Sequence, residues 1–322
     1  MSPFGFHTPS EEVAKAFADR IKGRTFLITG TSAKGLGGQA AITLSRESPS
    51  NIILVSRSKP RCEPVIAEIA GINPNVKVTF VTCSLDDFDS VRTAAAQINS
   101  DDNIPKIDAV VSNAGVMAVK DYTLDKQGYE MTLSSNHLGH FLLTNLIMPK
   151  ILAAAPGSRI LNVSSKGHRI SSFRFEDYNF SGGAVYDGWS AYGQSKTANI
   201  LFSVDLARRL AGRGVRAYSL HPGGIWGTGL TTHLDESSWP EIEVVTLRNT
   251  GQVFGGVDDP KTLTEGTSSL LAAALDPEFD DKSGSFIQDC QIGSPLEHAT
   301  NPESARKLWE VSEKLVGQKF DL

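Results

Sequence analysis

Short apolar runs alternate with amphipathic stretches along most of the chain. Seven runs read as strands: residues 25–29, 51–56, 76–82, 107–112, 159–164, 215–220 and 285–288. Several are continuously apolar and bounded by Gly, Asn or Ser, the pattern of strands covered on both faces. Between them, residues 35–47, 62–72, 88–99, 126–152, 190–211 and 263–274 carry helical patterns. Strand and helix repeated in this order predict an α/β fold. The expected architecture is a doubly wound (Rossmann) parallel sheet of about seven strands with helices on both faces. No repeat and no Gly/Ser-rich or Pro-rich linker divides the chain, so residues 1–322 read as one domain. The surplus lies in an N-terminal arm (1–22), the interval 166–189, a segment near 225–260 and a C-terminal tail (295–322).

Composition narrows the function classes. Hydrophobic residues are 40% and charged residues 21%, ample for a core and ordinary for a soluble globular protein. Net charge is −5, which argues against non-specific nucleic-acid or anionic-membrane binding. Cys62, Cys83 and Cys290 are far apart, with no CxxC spacing, which argues against a thiolate zinc site or redox pair. Residues 1–24 hold no continuous apolar run, and the C-terminus has no lipidation or peroxisomal signal. A cytoplasmic protein without a membrane anchor is expected.

The first predicted strand runs into Thr29-Gly30-Thr31-Ser32-Ala33-Lys34-Gly35-Leu36-Gly37-Gly38, and a helix pattern follows. Glycines at such a turn let a pyrophosphate approach the backbone, and the helix N-terminus offers N–H groups and a favourable dipole. The run is neither GxGxxG nor a Walker P-loop, since Leu36-Gly37 follows Gly35 where the P-loop needs Lys-Ser or Lys-Thr. Lys34 sits inside the turn. Arg57 follows the second strand, where an acidic residue would select NAD and an arginine accommodates the 2′-phosphate of NADP. Both cations point to NADP(H).

Tyr192-Gly193-Gln194-Ser195-Lys196 opens a long helix pattern. The i, i+4 spacing puts phenol and ammonium on one face. A free tyrosine has a pKa of about 10; a nearby ammonium favours the phenolate and suits the phenol to proton exchange with a carbonyl–alcohol pair.

The full order is Thr29-Gly30…Gly35-Leu36-Gly37, Ser112-Asn113-Ala114-Gly115, Asn136, Asn162-Val163-Ser164-Ser165, Tyr192…Lys196 and Pro222-Gly223. Between about Gly23 and Gln288 it resembles the short-chain dehydrogenase/reductase family. The long Ser165–Tyr192 interval and the late Ser283-Gly284-Ser285-Phe286…Asp289-Cys290 segment resemble its retinol dehydrogenase and WW-domain oxidoreductase-like branch, in soluble form.

The resemblance implies roles. Tyr192 matches the acid/base. Lys196 matches the residue that bonds the nicotinamide ribose and lowers the tyrosine pKa. Ser165 matches the serine that holds the substrate oxygen, and Asn136 the asparagine of the proton relay. The expected cofactor surface is Gly30, Ser32, Lys34, Gly35, Leu36 and Gly37 in the turn, with Arg57, Ser84 and Leu85. It continues through Asn113, Ala114 and Gly115, Tyr192 and Lys196, and Pro222, Gly223, Ile225 and Thr228. The departures are a glycine turn one residue longer than the family's, Ser112 for the first Asn of NNAG, and Ser84 for the adenine-contacting aspartate. Gly223–Thr228 is also one residue longer.

Other residues are set aside. His137 and His140 lie three apart without an evident third ligand, so no metal is expected. His168 and His221 read as hydrogen-bonded scaffold groups, and Trp309 as the anchor of a packing helix. Asn162-Val163-Ser164 and Asn179-Phe180-Ser181 match the glycosylation pattern by chance.

The leading expectation is NADP(H)-dependent hydride transfer to or from a ketone, aldehyde or secondary alcohol. A lid of about residues 225–260 covers the substrate, and Phe173, Phe175, Tyr178, Trp189, Trp226 and Trp239 are candidates for an apolar or aromatic pocket. Two alternatives stay open: a non-redox NADPH-binding or sensory protein, and a dehydrating or cyclising biosynthetic enzyme of this fold. A homodimer through residues 126–152 and 190–211 is a further expectation by analogy.

Overall fold

The computed structural model describes residues 1–231, 234, 238–256 and 258–322. Helix α1 (Ser10–Ala16) precedes β1 (Thr25–Thr29), α2 (Leu36–Ser45), β2 (Asn51–Ser56), α3 (Lys59–Ile72), β3 (Lys77–Thr82), α4 (Phe88–Ser100) and β4 (Ala109–Ser112). Next come the short α5 (Met131–Leu133), a π turn at Ser134–Leu138, α6 (Gly139–Leu146), α7 (Met148–Leu152), β5 (Ser158–Val163) and α8 (Gly188–Arg209). The chain closes with β6 (Val215–His221), β7 (Gly224–Ile225), α9 (Ser238–Thr250), β8 (Pro260–Lys261), α10 (Leu263–Leu275), β9 (Phe286–Gln288), β10 (Gln291–Ile292), α11 (Glu297–Thr300) and α12 (Pro302–Val316).

The main sheet has eight strands in the order β10-β9-β6-β5-β4-β1-β2-β3. Seven run parallel; β10 folds back antiparallel on β9, so the expected seven strands become eight. The strand order reverses between β1 and β4, and such a switch point opens a crevice at the carboxyl ends of the strands. Alternate residues face opposite layers. Leu27, Ile53, Val55, Val110 and Ile160 join the core shared with α4, α6, α8 and α12. Phe26, Ile28, Ile52, Leu54, Val111 and Leu161 join the other, under α1, α2, α3 and α10.

Helix starts follow local chemistry. Asp187 caps α8 by accepting from Ser190 N at 2.7 Å, and Thr262 with Glu265 forms a capping box on α10. Glu130 accepts from Thr132 N and Leu133 N, both at 2.8 Å. The predicted 126–152 helix therefore begins at Met131 and is interrupted by the π turn and at Ile147, just before α7 with its first-turn Pro149. The tail is not an open arm. Asn301 caps α12, Gly317 ends it at φ +69°, and Trp309 is buried against Phe141 and Phe202.

Candidate functional site

One cavity of about 770 Å³ opens along the carboxyl ends of the strands. Its cofactor-side wall starts at the β1–α2 turn. Gly30 has φ +72°, and a Cβ there would meet Ala114 Cα at 2.8 Å, so only glycine lets the turn pass this close to the end of β4. Asn113 stitches the two together: its Nδ2 donates to Thr29 O at 2.8 Å and Gly30 O at 3.1 Å. Thr29 Oγ1 accepts from Asn113 N and Ala114 N, each at 2.9 Å. Helix α2 starts at Gly35 without a side-chain cap, which leaves its first-turn N–H groups available to a ligand.

Most of the predicted cofactor surface lines this cavity. Gly30, Ser32, Gly35, Leu36 and Arg57 do so, as do Leu85 and Asn113–Gly115. Tyr192, Lys196, Pro222, Gly223, Ile225 and Thr228 complete the wall. Three predicted residues do not reach it. Lys34, at φ +62° in the lengthened turn, is exposed to solvent. Gly37 is buried behind the turn, where a Cβ would meet Asn113 Nδ2 at 2.6 Å. Ser84 turns its hydroxyl to Asp86 at 2.5 Å, and it is Asp86 that faces the cavity. Arg61, in the first turn of α3, also lines the wall. Nothing in the sequence pattern singles it out, since Arg57 precedes the helix.

The far end holds the polar side chains of β5 and α8. Ser165 follows the end of β5, and its hydroxyl accepts from Gly167 N at 3.0 Å. Lys196 Nζ donates to Val163 O at 3.0 Å and lies 5.5 Å from the Tyr192 ring centroid. Both side chains are almost wholly buried. Burial pushes the Tyr192 phenol up to about 12, against the lowering effect of the Ser165 hydroxyl, and pushes Lys196 down to about 8. In this arrangement burial, rather than the neighbouring lysine, sets the direction of the tyrosine's shift.

Asn136 stands behind the cavity, in the π turn. Its Oδ1 accepts from Val116 N at 2.8 Å, and its Nδ2 donates to Val116 O and Ser195 Oγ, both at 2.9 Å. It braces the β4 loop against α8. His140 bridges Asn136 O and Thr29 Oγ1, and His137 meets Ser312 Oγ at 2.8 Å. Burial lowers both imidazoles, to about 4 and about 3, so they are neutral. His168 is a scaffold group, with Nδ1 to Ser165 O at 2.7 Å and Nε2 accepting from Leu296 N at 3.2 Å.

The substrate end is apolar. Trp189, Trp226, Trp239, Met117, Ile170 and Ile242 line it. Ring centroids run from Trp226 to Trp239 (5.0 Å), on to Trp189 (5.7 Å) and to Tyr192 (6.4 Å). Trp189 Nε1 donates to Ser238 O at 3.1 Å, tying α8 to α9. Of the other candidates, Phe173 joins the core instead, and Phe175 and Tyr178 pack against it, Phe175 on Phe173 and Tyr178 on Tyr129. The expected 225–260 lid contributes Ile225, Trp226, Thr228–Thr231, Trp239, Ile242, Phe254 and Asp258; its residues 232–233, 235–237 and 257 lie outside the described residues.

A glycine-turn sheet with a Ser–Tyr–Lys site defines a class of nicotinamide-dependent oxidoreductases. The family model for short chain dehydrogenase matches residues 24–239, and the chain belongs to that family. Retinol dehydrogenase 13 of Homo sapiens is 37% identical over 299 residues, covering 92% of this chain and 86% of that protein. Short-chain dehydrogenase/reductase prx1 of Penicillium roqueforti is 33% identical over 313 residues, again covering 92% and 86%. A crystal structure of an uncharacterized protein from Mycobacterium paratuberculosis matches with TM-score 0.70 at 28% identity, covering 94% of this chain and 96% of that one. Among the described residues, no helix is long and apolar enough to cross a membrane.

Proposed function

We propose that the protein is an NADP(H)-dependent oxidoreductase that interconverts an apolar ketone or aldehyde with its alcohol. The observation that carries this reading is one cavity with two arginines at one end and Ser165, Tyr192 and Lys196 at the other. The residues present fit the cofactor. The uncapped start of α2 suits its pyrophosphate, and Arg57 and Arg61 suit a 2′-phosphate better than the 2′-hydroxyl of NAD. Lys196 and Asn113–Gly115 would hold the nicotinamide half. When bound, the cofactor supplies or accepts hydride at the substrate carbon.

The chain's own residues handle the oxygen. Ser165 holds the carbonyl oxygen by a hydrogen bond that strengthens as negative charge develops. Tyr192, whose phenol stays protonated at neutral pH and whose pKa burial raises further, donates its proton to that oxygen. Lys196 lies close enough to stabilise the phenolate left behind. Asn136 keeps Val116 and Ser195 in place around the pair. The tryptophan wall excludes water and favours a flat apolar substrate body. The relatives named retinol dehydrogenase support an apolar alcohol or aldehyde as the substrate class. The test is NADPH oxidation, followed by absorbance, against bulky apolar ketones, aldehydes and quinones, with NADH in parallel. Turnover with NADPH and not NADH supports the reading; equal use of NADH contradicts the cofactor preference.

A further inference from the structure

The cavity wall carries a carboxylate that the reaction scheme leaves unused. Asp258 lies between α9 and β8 and lines the cavity beside His221 and Lys166. One of its oxygens meets His221 Nε2 at 2.7 Å, and the other accepts from Lys166 Nζ at 3.0 Å. Lys166 also donates to Gly256 O at 2.9 Å and lies 5.3 Å from the Phe254 ring centroid. Partial burial pushes the Asp258 carboxyl up, but the His221 and Lys166 contacts outweigh it and hold it down to about 2.

The two partners occupy telling positions. Lys166 directly follows Ser165. His221 directly precedes the Pro222-Gly223 turn, and its Nδ1 accepts from Gly223 N at 3.4 Å. That bond leaves the Nε2–H to donate to Asp258. Gly223 has φ +91°, and a Cβ there would meet Lys261 Cδ at 2.7 Å. Two residues after Asp258, β8 pairs with β7 and continues the same closure. A single carboxylate thus joins the segment after α9 to the neighbour of Ser165 and, through one imidazole, to the turn facing the nicotinamide end.

We propose that Asp258 is a positioning residue, clamping the Ser165 arm through Lys166 and the Gly223 turn through His221. The clamp rests on the proposed reaction for its consequences, but not for its existence. The carboxylate is the common member, and each partner controls a different half of the site. Lys166→Met is expected to cut turnover at saturation roughly tenfold while NADPH affinity changes less than twofold. His221→Phe is expected to weaken NADPH binding roughly tenfold. Asp258→Asn, whose amide cannot accept from both partners, is expected to do both.

Hydrogen exchange on the full-length protein reads the clamp without any ligand. Asp258→Asn is expected to speed exchange several-fold at residues 166–167 and 221–225, with the melting temperature shifted by no more than about 3 °C. NADPH fluorescence titration and steady-state kinetics on the three variants then separate the two arms. Unchanged exchange in Asp258→Asn overturns the clamp. So does a uniform loss of affinity, turnover and melting temperature in all three variants, which is the signature of a purely structural group. If Asp258→Asn loosens both segments but the wild-type protein binds no nicotinamide cofactor, the clamp stands and the reductase reading fails.

Discussion

If the site prefers NADP(H) as proposed, removing Arg57 and Arg61 should leave it unable to tell the two cofactors apart. Both side chains line the cavity at the end of β2 and the start of α3, and both are solvent-exposed. A hydrogen bond to a charged group contributes roughly 1.5–3 kcal/mol, and exposure argues for the lower end. About 1.4 kcal/mol is tenfold in affinity. Arg57→Ala should therefore raise the NADPH Kd roughly tenfold. The double variant with Arg61→Ala should raise it roughly 30-fold, short of the ~100-fold of full additivity because two neighbours would share one phosphate. NADH affinity should change less than about twofold, since NADH has no 2′-phosphate to lose. Lys34→Ala is the internal control: that side chain is exposed and does not line the cavity, and its removal should leave both affinities within about twofold. The assay is fluorescence titration with each cofactor at low and at near-physiological salt, where the arginine contribution should shrink as salt rises. Equal loss of NADH and NADPH affinity on Arg57→Ala, or a larger effect from Lys34→Ala, would refute the assignment.

Two predictions concern the frame. Gly139 lets α6 pass against the β3–α4 turn, where a Cβ would meet Leu85 O at 2.1 Å. Gly139→Ala should cost at least about 1–3 kcal/mol and lower the melting temperature by several degrees; an unchanged melt would show that the turn yields freely. Asp280 is pushed up by partial burial, yet its bonds to Arg20 and Arg159 win and hold it down to about 2 from 3.8. A depressed carboxylate contributes stability that is complete above the unfolded-state value and lost as pH falls from 3.8 through 2. After allowance for partial exposure this is on the order of 1–2 kcal/mol. Melting temperatures of wild type and Asp280→Asn between pH 2 and 6 should converge as pH falls; parallel curves would contradict the pairing.

Sequence pattern read the parallel core closely. β1 and β2 have the predicted bounds because uninterrupted apolar runs between polar residues leave little choice of edge. The 126–152 stretch misled because its apolar pattern runs on through a π turn and a break, which periodicity does not register. The packing helix anchored by Trp309 was legible in the tail, but its partners Phe141 and Phe202 were not, because they are distant in sequence. At the site, spacing identified Tyr192 and Lys196 as one face. It could not weigh burial against charge, and burial decides the direction of both pKa shifts. The lengthened glycine turn likewise hid that Lys34 is exposed and does not line the cavity. Asp258 carries no sequence signal, since its partners lie 37 and 92 residues away.

The most direct test of the account compares wild type with Tyr192→Phe, using NADPH absorbance for turnover of an accepted apolar ketone and fluorescence for cofactor affinity. Loss of one hydroxyl that donates the reacting proton should cut kcat roughly 10²–10⁴-fold, with the NADPH Kd held within about threefold. A variant that retains most of its turnover, or a wild-type protein that binds NADPH tightly and reduces no carbonyl in the panel, would contradict the reductase mechanism centred on Tyr192.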